Sequence, residues 1–141
     1  MLAYFDASAL VPLVIEEHGS RLCDEQWHRA DVIVTSSLAY VEVHGALAQA
    51  VRQDRMDDDA RDVALSVFQS RWKDVVHVPP GDALVKTAAT LAASHALRGC
   101  DAVHCATALT VASDDFVALS GDRDLLRAWG ELGIAVIDTS A

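Results

Sequence analysis

An α/β fold, with helices packed on both faces of a parallel sheet, is what this 141-residue sequence predicts. Short apolar runs alternate along the chain with longer amphipathic stretches, which is the signature of crossover units. The strand-like runs are nearly continuous in apolar residues, as in Leu2-Ala3-Tyr4-Phe5 and Phe116-Val117-Ala118-Leu119, so both of their faces are covered. Three layers satisfy both observations.

The first strand ends at Asp6, and the small residues that follow predict a short helix over Ser8–Val14 with Pro12 in its first turn. Glu16-Glu17-His18-Gly19 interrupts it, and Ser20 is placed to cap a helix through Arg29. The β-branched run from Asp31 to Thr35 is the second strand. Ser36 and Ser37 can cap a helix from Leu38 to about Arg52, with Ala39, Val43, Ala46, Leu47 and Ala50 at helical spacing. Asp57-Asp58-Asp59 opens the next helix, which runs to about Trp72. Acids there suit the positive end of the helix dipole, so capping is their role.

Val75–Val78 is the third strand, stopped by Pro79-Pro80-Gly81, and an alanine-rich helix spans Asp82 to His95. A helix over Ala102–Ala112, a strand over Phe116–Leu119, a helix over Asp122–Gly130 and a strand over Ile134–Ile137 complete the chain.

Composition narrows the function. The 52% hydrophobic content, three prolines and lack of low-complexity runs predict one domain over residues 1–141. Cys23, Cys100 and Cys105 lack the spacing of a paired framework, which favours reduced thiols, and Cys100, His104 and Cys105 lack the paired spacing of a zinc site. Met1 leads directly into a strand and no apolar run reaches membrane-spanning length, so a soluble cytoplasmic protein is expected. With 21 acids against 11 bases, net charge is −10. Such a surface repels phosphates unless a cation or a basic rim reverses the local field.

Four acids stand out by position: Asp6 after the first strand, Glu42 between valines inside a helix, Asp101 near a helix start, and Asp122 after the fourth strand. Asp6, Asp101 and Asp122 each suit a helix N-cap. Glu42 gains nothing from capping at its position. If the first and fourth strands flank the switch point of the sheet, Asp6 and Asp122 meet in the crevice beyond it. Two carboxylates about 4 Å apart repel by roughly 4 kcal/mol at an effective dielectric of 20. Four of them call for cations or raised pKa values, and oxygen-only ligands favour Mg²⁺ or Mn²⁺ over Zn²⁺.

Four segments then resemble, in order, the motif blocks of the PIN-domain family, specifically the VapC-type toxins of bacterial toxin–antitoxin pairs. They are Tyr4 to Leu10, Ser37 to Val43, Leu97 to Ala108, and Leu119 to Asp122. The resemblance implies a central parallel sheet in the order 3-2-1-4-5 and a Mg²⁺- or Mn²⁺-dependent endoribonuclease. It also implies a homodimer and neutralisation by a cognate VapB-type antitoxin. Carried over by position, Asp6, Glu42, Asp101 and Asp122 are the catalytic, metal-holding acids, while Ser8 and Ser120 occupy hydroxyl positions beside the metal or its waters.

His104 lies one helical turn beyond Asp101 and can touch the site, but a packed, hydrogen-bonded core histidine is the favoured reading. Asp124 is an auxiliary candidate whose simpler role is a solvated first-turn acid. Arg98 and Arg123, beside proposed ligands, are candidates for RNA phosphate contact, whereas Arg52, Arg55 and Arg127 need only be surface charges. His44 and Gly45 depart from the bulkier apolar residues common in the family, which puts the shape of the local groove in question. The non-enzymatic alternative is a catalytically inactive PIN-like module that seats a basic partner segment in its acidic cleft.

Overall fold

A computed structural model describes residues 1–141. Five strands form one parallel sheet: β1 (Leu2–Phe5), β2 (Val32–Ser36), β3 (Val75–Val78), β4 (Phe116–Ser120) and β5 (Val136–Asp138). Their order is β3-β2-β1-β4-β5, as the resemblance implies. The central strand pairs Tyr4 with Val34 on one side and Ala118 on the other, and Phe5 with Leu119. The order reverses between β1 and β4, which opens a crevice beyond their carboxyl ends.

Side chains alternate across the sheet and divide the core in two. On one face Ala3, Phe5, Ile33, Val117 and Leu119 pack with residues from α1 (Ala7–Leu10), α2 (Ser20–Arg29), α3 (Leu38–Arg52) and α4 (Asp58–Trp72). On the other, Tyr4, Val34, Phe116 and Ala118 meet α5 (Asp82–His95), α6 (Gly99–Val111) and α7 (Arg123–Glu131). The three-layer arrangement follows from this division. No helix is long and apolar enough to cross a membrane.

Several boundaries differ from the sequence reading, each for a local reason. The first helix starts at Ala7 and gives way at Val11–Leu13 to a 3-10 turn holding Pro12. Proline has no N–H to continue the α ladder. Ser20 is not a cap: Gly19 takes that position, and the Ser20 hydroxyl accepts from Glu17 N (2.9 Å) while donating to Ile15 O (3.0 Å). It closes the preceding loop instead. Ser36 accepts from Leu38 N at 3.1 Å, but Ser37 makes no capping bond.

Helix α6 begins at Gly99, three residues earlier than expected, because Ala102 N already bonds to Arg98 O. The last strand starts two residues later and ends one later than expected, at Val136–Asp138, where Ser120 pairs with Asp138. Asp57 caps α4 through Ala60 N at 2.7 Å, as the acidic trio predicts.

Candidate functional site

At the crevice beyond β1 and β4, a cavity of about 270 Å³ is lined by Asp6, Ala7, Ser8, Val11, Glu42, Ala46, Asp101, His104 and Asp122. Four separate elements deliver the four acids. Asp6 caps α1, its Oδ1 accepting from Ala9 N at 3.0 Å. Asp122 caps α7 in the same way, accepting from Leu125 N at 2.9 Å. Glu42 comes from the second turn of α3. Asp101 lies in the first turn of α6 and caps nothing, contrary to one sequence expectation, because that helix starts early.

Two serines organise the floor. Ser8 Oγ donates to Asp6 Oδ1 (2.6 Å) and Ser120 Oγ donates to Asp6 Oδ2 (2.6 Å). The same hydroxyls accept backbone protons, Ser8 from Gly121 N at 2.7 Å and Ser120 from Asp122 N at 2.9 Å. They tie the β1 exit to the β4 exit. A Cβ at Gly121 would lie 3.1 Å from Thr139 Oγ1 and 3.6 Å from Ser8 Oγ, so a side chain there would crowd this junction.

Charge is unevenly relieved. Burial pushes the Asp6 carboxyl above its ordinary range, against the charge of His104 and the bonds from Ser120, Ser8 and Ala9 N. Asp101 has no hydrogen bond among its influences. Burial, then the Asp122 and Asp6 charges, drive it up to about 6, with Arg98 and His104 opposing. For His104, burial favours the neutral ring, yet the Glu42 bond and the Asp6, Glu42 and Asp101 charges outweigh it and raise the pKa.

His104 is 2% exposed and spans two groups, with Nδ1 2.6 Å from Tyr4 Oη and Nε2 2.6 Å from Glu42 Oε1. The packed, hydrogen-bonded reading of this residue holds, and Tyr4 is the partner that sequence reasoning missed. A tyrosine inside an otherwise apolar strand was the signal, since its buried hydroxyl needs a partner.

The remaining candidates separate clearly. Asp124 is exposed, does not line the cavity, and pairs with Arg127 at 2.9 Å. Arg98 and Arg123 are exposed and lie outside the cavity lining; their charges act on Asp101 and Asp138 respectively. His44 packs on Tyr40 and Phe68, and Gly45 faces open space, so neither shapes the cavity. Cys23 and Cys105 are buried, whereas Cys100 is exposed, and all three thiols are free.

Whether a metal fits is decided by donor chemistry. As they stand, no three His, Cys, Asp or Glu side chains form a ready-made metal site. Asp6 has both oxygens engaged by serines, Glu42 is held by His104, and Asp122 is committed to its cap. The donors are nonetheless four carboxylates around one cavity, with repulsion at Asp101 that a cation would relieve. An all-oxygen set of this kind fits a hard divalent ion. A larger cavity of about 380 Å³, lined by Ser8, Pro12, Glu17, His18, Gly19, Gly121, Thr139 and Ser140, adjoins it but holds one acid.

Comparison with known proteins identifies the family. The PIN domain family model matches residues 3–130. Ribonuclease VapC45 of Mycobacterium tuberculosis (strain CDC 1551 / Oshkosh) is 40% identical over 124 residues, covering 88% of this chain and 86% of its own. Among solved structures, Mycobacterium tuberculosis VapC20, a Sarcin-Ricin loop cleaving toxin, superposes with a TM-score of 0.68 at 18% identity, covering 89% of this chain and 94% of its own. VapBC-5 of the same organism, a member of the VapBC family of toxin-antitoxin systems, gives a TM-score of 0.64 at 18% identity over 97% and 98% of the two chains. The structural likenesses speak for the fold, while the family match and the 40% identical relative speak for descent. This chain belongs to the PIN-domain family, among its VapC members.

Proposed function

We propose that this chain is an endoribonuclease toxin whose Asp6, Glu42, Asp101 and Asp122 hold Mg²⁺ or Mn²⁺, one or two ions per site. The observation that carries the reading is the convergence of these four acids, from four elements, on one cavity at the switch point of the sheet. The ribonuclease relatives support it.

Activation of water for in-line attack and neutralisation of charge on the scissile phosphate are what divalent ions supply when bound, leaving 5′-phosphate and 3′-hydroxyl ends. The chain's own side chains prepare the site. Ser8 and Ser120 fix both oxygens of Asp6, so its carboxylate presents one orientation to the cavity. His104 holds Glu42, another residue of the lining. The exposed Arg98 and Arg123 are the side chains that would meet RNA phosphates and offset an overall charge of −10.

In this reading the PIN domain spans residues 1–141, acts in the cytoplasm and pairs with a second copy. A VapB-type antitoxin inhibits it, a partnership supported by the fold shared with VapBC-5. The test is incubation of purified protein with total cellular RNA in Mg²⁺, Mn²⁺ or EDTA, beside Asp6→Asn. Discrete fragments that vanish with EDTA and in the variant are the expected result. Absence of cleavage by folded, antitoxin-free protein with either metal would replace the nuclease with an inactive binding module.

A further inference from the structure

We infer that Tyr4 and His104 form a positioning pair that sets the carboxylate of Glu42, with Tyr4 Oη hydrogen-bonded to Nδ1 and His104 Nε2–H donating to Oε1. This rests on the reading of Glu42 as a metal ligand. The three residues lie far apart in sequence, on β1, α6 and α3, and meet through two contacts of 2.6 Å.

Proton counting fixes the direction of the bond to Glu42. An ionised carboxylate offers only lone pairs, so a 2.6 Å approach by Nε2 requires the proton on that nitrogen. The Tyr4 hydroxyl can serve Nδ1 in either state of the ring, accepting from Nδ1–H when the ring is charged and donating to the Nδ1 lone pair when it is neutral. The opposite tautomer would set a ring lone pair against the carboxylate.

Tyr4 cannot turn away. It is fully buried and meets Trp129 edge-on, with ring centroids 5.7 Å apart, on the face opposite the α3 layer. His104 is equally enclosed. Glu42 is the more accessible member, its side chain 26% exposed and lining the cavity, so the enclosed pair restricts its rotamers. Such a pair acts through Glu42. Its effect belongs in metal affinity, because outer hydrogen-bond partners orient a ligand and tune its basicity.

The test compares His104→Gln with His104→Asn. The glutamine amide reaches the position of Nε2 and keeps a donor toward Glu42, whereas the asparagine amide reaches only toward Tyr4. Mn²⁺ titrated calorimetrically into each folded protein is expected to bind His104→Gln within about threefold of wild type, and His104→Asn roughly 10- to 100-fold more weakly. Tyr4→Phe should fall between them. A role in packing alone would not separate the two amides in that order, and equal Mn²⁺ affinities would overturn the inference.

A second readout needs no metal. Imidazole ¹⁵N NMR at alkaline pH should show His104 protonated on Nε2, with the Nδ1 signal displaced in Tyr4→Phe. A proton on Nδ1, or indifference to Tyr4→Phe, refutes the pair. Failure of the metal reading would appear differently, as no Mn²⁺ binding by wild type or undiminished binding by Asp6→Asn.

Discussion

Replacing Asp101 with asparagine should stabilise the metal-free protein while removing its activity. Burial and the neighbouring Asp122 and Asp6 charges raise this carboxyl from 3.8 to about 6. At about 1.36 kcal/mol per unit, the ionised form costs the fold roughly 3 kcal/mol. Asp101 is only half-buried, and solvent screening reduces this to about 1–2 kcal/mol. A first-turn acid also gains about 0.3–1 kcal/mol from the helix dipole, which asparagine forfeits. The net gain is about 1 kcal/mol, or roughly 3 °C for a domain of this size.

The pH dependence gives the sign an independent check. Because the folded-state pKa is raised, the folded protein retains a proton that the unfolded chain has already lost. The cost is absent below about pH 3.8, grows between there and pH 6, and is complete above. Thermal melts of wild type and Asp101→Asn in EDTA should therefore differ most at pH 7.5 and converge towards pH 4. A variant no more stable than wild type at pH 7.5, or a difference that persists undiminished at pH 4, would refute the reasoning.

Saturating Mn²⁺ should raise the melting temperature of wild type, by about 2.7 kcal/mol of stabilisation at one hundred times Kd, and leave Asp6→Asn unmoved. Ser120→Ala takes one donor from Asp6 and an acceptor from Asp122 N, so RNA cleavage should fall roughly 10- to 100-fold with the fold retained by circular dichroism. Phe68→Ala empties a site 2% exposed among Tyr40, His44 and Trp72, and urea titration should show a loss of about 3–5 kcal/mol. Gly19→Ala would bring a Cβ within 2.6 Å of the Thr139 carbonyl oxygen. That contact involves backbone, so a destabilisation of about 1–3 kcal/mol is expected in the same assay.

Local chemistry decided much of this protein before any folding is considered. Apolar runs at strand length and alternation with amphipathic stretches specify the α/β class, since they depend only on neighbouring residues and the periods of the two structures. The positions of Asp6 and Asp122 after strands follow the same local logic, and both are N-caps as well as cavity residues. Glu42 was legible because an acid between valines has no local use. Boundaries were less so. Ser20 and Ser36 carry the same hydroxyl before a helix, but whether it caps or closes the preceding loop depends on where the chain turns.

Tertiary structure decided which of these groups act on one another. Ser120 reaches Asp6 across 114 positions, and Tyr4 reaches His104 across 100, because parallel pairing sets β4 beside β1 and α6 packs above them. No periodicity encodes such contacts. Asp101 shows the same division: its residue type marked it as an acid of interest, while its raised pKa comes from the fold, which buries it beside Asp122 and Asp6. Sequence dictates locally because short-range sterics and hydrogen bonding do not wait for the rest of the chain. The electrostatics of the cavity exist only once distant carboxylates are brought together and removed from water.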